Sequence, residues 1–180
     1  MKALHRPGLF CWSSFDEARN VDFHGYAAVR PEGTLVIDPL PLSDHDRAHL
    51  LSLGAVRWVV VTNSDHTRAA AALAADTGAE LCGPAAERDG FPLPCTRWLA
   101  DGDTLGEGVS VLALDGSKTP GELAVVLDGS VLVTGDLVRA HRAGALMLLP
   151  DAKLRDREAA VRSVRRLAAL DVDAVLVLSL

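Results

Sequence analysis

Apolar residues fall in short runs along the chain, each closed by Gly, Pro, Asp or Asn, and several alternate with polar positions. Runs of this length with these endings predict strands rather than helices. They place strands at Leu9 to Ser14, Phe23 to Val29, Thr34 to Ile37, Trp58 to Thr62, Glu80 to Cys82, Thr96 to Leu99, Val109 to Leu114, Leu123 to Leu127, Ser130 to Thr134 and Ala174 to Leu178. Asp128-Gly129, between two of these runs, predicts a hairpin, because the pair tolerates the positive φ that tight hairpin turns need.

Helical patterns lie between some of the strands. The first spans about Asp44 to Leu53 and opens on Ser43, whose hydroxyl can accept from a first-turn N–H. The second spans about His66 to Asp76 and ends before Gly78, a left-handed cap position. The third sets Leu154, Val161, Val164, Leu167 and Ala168 on one face and Arg155, Arg162, Arg165 and Arg166 elsewhere. That is the pattern of an amphipathic helix lying on a sheet, and its arginines read as a solvated face with buried stems. Strand runs with helices among them give an α/β character, and no repeat or linker divides the chain.

Composition narrows the class. A chain of 180 residues that is 49% hydrophobic is long enough for one domain with a sizeable core. A net charge of -6 and a pI of about 5.4 argue against a phosphate-tracking surface, so no nucleic-acid partner is expected. Cys11, Cys82 and Cys95 have no CxxC spacing and read as reduced, structural thiols. Met1-Lys2-Ala3-Leu4-His5-Arg6-Pro7 has no apolar signal-peptide core, and no run approaches the roughly 18 residues of a membrane helix, so a cytoplasmic protein is expected. The serine-hydrolase elbow GxSxG, the phosphate loop GxxxxGK[ST] and the dinucleotide loop GxGxxG are absent. Oligomeric state has no sequence signal.

Four segments carry a resemblance. Leu35-Val36-Ile37-Asp38-Pro39 is a strand ending in Asp, and Val59 to Gly83 reads as strand, polar loop, helix and strand. Gly116-Ser117-Lys118-Thr119-Pro120-Gly121-Glu122 and Val131-Leu132-Val133-Thr134-Gly135-Asp136 follow in order. Together they resemble the metallo-β-lactamase superfamily, in a divergent branch. The resemblance implies an α+β fold, the four-layer αββα sandwich of mixed sheets flanked by helices, as a single domain over residues 1–180. It also makes the chain look C-terminally short, because the last strand of that fold leads to a loop bearing a final metal histidine.

Where the superfamily carries Thr-His-x-His-x-Asp-His and holds one or two zinc, iron or manganese ions, both leading histidines are missing here. Aligned from Thr62 without a gap, the liganding positions become Asn63, Asp65, Thr67 and Arg68. Aligned from the helix side, Asp65 and His66 correspond to the Asp-His pair of the second metal site, and this alignment is preferred because loops tolerate deletions better than packed helices. Lys118 replaces the histidine before Thr-Pro-Gly, and a protonated ammonium has no lone pair for a metal. Asp136 retains the family's bridging aspartate. A di-zinc site is therefore not expected; the implied cofactor is none, or one weakly bound divalent Zn, Fe or Mn held by Asp65, His66 and Asp136.

Those residues also admit plainer readings. Asn63, Ser64 and Asp65 are types that cap helices. His66 is open as ligand, general base or surface residue, and Asp136 as site residue or turn former. Lys118 suggests a substitution: its charge would fill the space of the lost metal and neutralise Asp136 or Asp65. Arg139, His141 and Arg142 would offer donors to a carboxylate or phosphate if their loop rims the same cleft, and otherwise form a surface loop. His24, His45 and His49 read as structural or exposed. Two functions stay open. One is a protein without the usual di-metal hydrolysis, binding a small anionic ligand through Asn63, Arg139, His141 and Arg142, with Lys118 in place of the metal. The other is a mononuclear metal-dependent hydrolase of an ester, thioester or phosphodiester, with Asp65, His66, Asp136 and Lys118 as catalytic residues.

Overall fold

In a computed structural model that describes residues 1–142 and 144–179, all strands but two form two sheets packed face to face. The first sheet contains β1 (Lys2–Ala3), β2 (Leu9–Asp16), β3 (Val21–Ala28), β4 (Thr34–Ile37), β5 (Val56–Val60), β6 (Glu80–Pro84) and β7 (Arg97–Leu99) in sequence order. Its first four strands pair antiparallel and β4 to β7 pair parallel. The second sheet is built from β8 (Val109–Leu114), β9 (Glu122–Leu127), β10 (Val131–Thr134) and β13 (Ala174–Val177), with β13 parallel to β10. The strands β11 (Val138–Arg142) and β12 (Ala145–Leu148) pair with each other.

Alternation along each strand sets the layers, because successive side chains point to opposite faces. Leu35, Ile37, Trp58 and Val60 of the first sheet meet Val109, Val111, Leu123, Val125 and Val133 of the second in one central core. The intervening Val36, Val59 and Val61 point the other way, onto Leu50, Ala70 and Leu73 of the helices α1 (Asp44–Ser52) and α2 (Ala70–Thr77). Behind the second sheet, Ala124, Val126 and Leu132 pack on Ala160 and Leu167 of α3 (Arg157–Ala168). The order is helix, sheet, sheet, helix. Central strands buried on both faces explain why their sequences are nearly continuous apolar runs.

The turns follow their chemistry. Asp128 and Gly129 have φ of 52° and 63°, and the Ser130 N–H closes the turn on the Leu127 carbonyl. Ser43 caps α1, and Gly78 ends α2 at φ 70°. The helix expected over His66 to Asp76 is in fact two pieces: a 3-10 turn at Ser64–His66, then α2 from Ala70. Arg68 breaks it with a φ of 25°, a conformation that no helix continues through. The stretch from Arg139 to Arg142, expected as a loop, is part of β11. In α3, Leu154 precedes the helix and Ala168 is exposed; the packed face is Ala160, Ser163, Val164 and Leu167, spaced i, i+3, i+4 and i+7. Arg166 is not merely solvated, since it forms an ion pair with Asp101 at 2.7 Å. The three cysteines are free thiols, Cys82 buried and the other two half-buried.

Leu123, 1% exposed in the central core, and Leu146, 52% exposed on β12, make a contrasting pair. Leu123→Ala removes core volume and should cost about 2–5 kcal/mol, whereas Leu146→Ala should change stability by no more than about 0.5 kcal/mol. Urea unfolding monitored by circular dichroism reads both.

Candidate functional site

Polar side chains converge where the strands of both sheets end. Asp38 follows β4, Thr62 to His66 follow β5, Ser117 and Lys118 sit in the loop before β9, and Asp136 follows β10. Ligand sites of open α/β sheets favour such carboxyl ends, because several loops meet there on a rigid base.

Asp38 is fully buried and holds a positive φ of 44°, an uncommon conformation for a residue with a Cβ. Three contacts hold it there. The Thr62 N–H donates to its Oδ1 at 2.7 Å, and the Thr62 hydroxyl donates to its Oδ2 at 2.5 Å. His66 Nδ1 lies 2.8 Å from the same Oδ2. The other ring nitrogen, Nε2, faces Asp136 Oδ2 at 3.3 Å. His66 therefore lies between two buried carboxylates, and the doubly protonated ring supplies a donor to each. Burial alone lowers its pKa, but Asp38 and Asp136 outweigh that and raise it to about 9.

Asp136 is 5% exposed. Burial favours its neutral form, yet His66 and Lys118 outweigh this and hold its carboxyl well below the usual carboxylate range. Lys118 Nζ lies 2.7 Å from Asp136 and 2.8 Å from Asp65, and these two carboxylates keep it charged against its own partial burial. The Asn63 side-chain amide also donates to Asp136, at 3.3 Å, while its carbonyl oxygen accepts from the Asp65 N–H.

Glu122 supports this centre from behind. Its carboxylate accepts from the backbone N–H groups of Asp136 and Leu137 at 2.8 and 2.9 Å and from the Ser117 hydroxyl at 2.5 Å. Burial, with Asp136 adding to it, pushes its pKa up to about 7. Gly135 is required here: a Cβ at that position would come within 2.9 Å of the Glu122 carboxylate.

The centre opens into a cleft of about 690 Å³. Asp65, His66, Lys118 and Asp136 line it, joined by Arg68, Arg139, His141 and Ser179 around the rim and floor and by Arg19, Phe23 and Lys153. Of the residues expected to bind a ligand, Arg139 and His141 reach the cleft. Arg142 is exposed and is not on its wall, and Asn63 is buried beneath it, bonded within the centre. Asp38, Thr62, Glu122 and Ser179 were not among the expected site residues, and Arg68 entered only as a position of the ungapped alignment. Asp38 and Glu122 lie in two of the segments that carry the resemblance, which is the one signal that could have nominated them.

A sequence profile described as the metallo-beta-lactamase superfamily matches residues 1–179. The chain belongs to the metallo-β-lactamase superfamily. Solved structures of similar fold include the DIM-1 metallo-β-lactamase, 16% identical over 96% of this chain and 86% of that one, with a TM-score of 0.72. A metallo-β-lactamase from Pontibacter korlensis is 17% identical over 97% and 88% of the two chains, with a TM-score of 0.73. One from Erythrobacter litoralis is 18% identical over 97% and 82%, with a TM-score of 0.69. No curated protein sequence matches the chain. The four-layer sandwich is thus the superfamily's fold. Among the described residues, no group of three or more His, Cys, Asp or Glu is arranged to hold a metal ion, and no helix is long and apolar enough to cross a membrane.

The His66 pKa gives a stability prediction with a definite sign. A histidine raised in the folded state stabilises it fully below the unfolded value of about 6.5; for His66 that contribution is lost as pH rises through about 9. The loss of stability between pH 6.5 and 9 in urea unfolding should be reduced in His66→Gln, whose stability at pH 6 should itself be lower.

Proposed function

We propose that this superfamily member binds a small carboxylate- or phosphate-bearing compound in its cleft without a metal, and that di-metal hydrolysis is not its activity. The observation that carries this reading is the position of Lys118. Its ammonium lies within 2.8 Å of both Asp65 and Asp136, the residues that the superfamily resemblance nominates as metal ligands. A divalent ion does not fit this donor set. Both ring nitrogens of His66 are engaged with carboxylates, and one oxygen each of Asp65 and Asp136 already faces an ammonium. Catalytic zinc sites instead keep three free donors and an open position. The lysine supplies the positive charge that a metal would otherwise bring, so the buried carboxylates stay ionised.

The remaining charges of the cleft favour an anion. Asp65 and Asp136 are engaged by Lys118 and His66, while Arg19, Arg68, Arg139 and Lys153 line the same space. Among the described residues, Arg68 Nη1 and Arg139 Nε have no hydrogen-bond partner, although both atoms are buried away from the open space. Guanidinium groups on a cleft wall suit the oxygens of a carboxylate or phosphate, which they bind through charge-assisted hydrogen bonds. Arg68 is further fixed by its guanidinium lying 4.7 Å from the centre of the Phe23 ring. The volume falls within the roughly 300–1,000 Å³ of small-molecule sites.

Two measurements test this. Protein purified without chelators and then exposed to zinc, iron or manganese should hold far less than one equivalent by mass spectrometry, and Asp136→Ala should not change the content. Stoichiometric metal lost in Asp136→Ala would instead establish a mononuclear metal centre and overturn the metal-free reading in favour of a screen for hydrolase substrates. Calorimetry with inorganic phosphate and citrate should detect binding that Arg68→Ala or Arg139→Ala weakens by about 10-fold or more, the loss of one charge-assisted hydrogen bond.

A further inference from the structure

We infer that Ser179 and His141 form a nucleophile–base pair for metal-free acyl transfer in this cleft, acting on an ester that carries a carboxylate or phosphate arm. The substrate class rests on the anion reading above; the nucleophile rests on separate observations. Ser179 Oγ lies 3.2 Å from His141 Nε2, and both residues line the cleft beside the arginines. The pair comes from different elements. His141 stands on β11, whereas Ser179 follows β13 and is held by pairing with Phe23 of β3. Two neighbouring bonds fix that segment: the His24 N–H donates to the Leu178 carbonyl at 3.1 Å, and the Tyr26 hydroxyl donates to the Val177 carbonyl at 2.6 Å. The serine is thereby positioned by the first sheet although its strand belongs to the second.

The surroundings suit the two roles. Partial burial, together with Arg139 and Lys153, lowers the His141 pKa, which favours the neutral ring that can accept a proton. Ser179 lines the cleft and is 6% exposed, a confined position. The Arg68 and Arg139 guanidinium groups, which line the same cleft, provide positive charge for an oxygen that turns negative during attack and for the anionic arm.

The step balances without a metal. As Ser179 Oγ bonds to the acyl carbon, its proton passes to His141 Nε2, and the ester C–O bond breaks with that proton going to the leaving alcohol. Water then attacks the acyl-serine, His141 takes its proton, the Oγ–acyl bond breaks and the proton returns to Ser179.

The test uses full-length protein, excess chelator and two activated esters, p-nitrophenyl hemisuccinate and the uncharged p-nitrophenyl acetate. Nitrophenol release is followed by absorbance, and acylation by mass spectrometry of the intact protein and its peptides. The inference expects one acyl group on Ser179, faster release from the hemisuccinate, loss of the adduct in Ser179→Ala and its retention in Ser179→Cys. His141→Gln should slow acylation on the order of a hundredfold, the scale of general-base catalysis. Circular dichroism confirms that each variant is folded. Equal release by wild type and folded Ser179→Ala, with no adduct on Ser179, would overturn the inference. Phosphate calorimetry on the wild type separates the two readings: binding without acylation overturns the nucleophile alone, and neither binding nor acylation overturns both.

Discussion

A carboxylate removed from water must be matched by positive charge or by donated hydrogen bonds, or it drives the structure open. Asp136 is 5% exposed and Asp38 fully buried, and the loops at the sheet ends are arranged around meeting that demand. His66 serves both carboxylates at once, Lys118 ties Asp136 to Asp65, and Thr62 donates twice to Asp38. Backbone geometry follows from the same requirement. The positive φ of Asp38 lets its carboxylate reach Thr62 and His66, and the turn after β5 presents His66 between its partners.

The sandwich supplies the rigidity that this network needs. Strands with both faces buried do not slide, since a one-residue slip would turn an entire apolar set outward. The ends of β4, β5 and β10 are therefore fixed relative to one another, and the loops leaving them meet at set distances. A backbone bond also joins the two sheets at this level: the Leu123 N–H, at the start of β9, donates to the carbonyl of Thr62. Glu122 beside it then accepts from Asp136 and Leu137, so the same strand start positions the aspartate. A shift of either sheet would disturb both.

Charge balance in the centre leaves the outer cleft electropositive. With Lys118 and His66 engaged inward, Arg19, Arg68, Arg139 and Lys153 determine what the open space attracts. Steering by such a patch acts over about a Debye length, roughly 8 Å at physiological salt. In the proposed metal-free reading this charge comes from side chains and does not depend on metal concentration.

The alternation of apolar and polar residues by itself determined the main strands, and the order of four short segments determined the fold. Both are local signals: a period of two writes a strand, and Asp128-Gly129 writes its own turn. The depletion of histidines was equally legible, because it concerns which residues are present. Which groups meet was not legible. Arg142 and Asn63 carry suitable donors, yet one points away from the cleft and the other is buried beneath it, since strand register and loop packing decide orientation. Asp38, Glu122 and Ser179 have ordinary local contexts and acquire their roles from partners distant in sequence. Arg68 broke a helix that its neighbours' propensities favoured, for a place against Phe23 that exists only once β3 is folded beside it. Local sequence chose the elements because propensity acts between neighbours; the tertiary structure chose the site because electrostatic partners are set by distance in space.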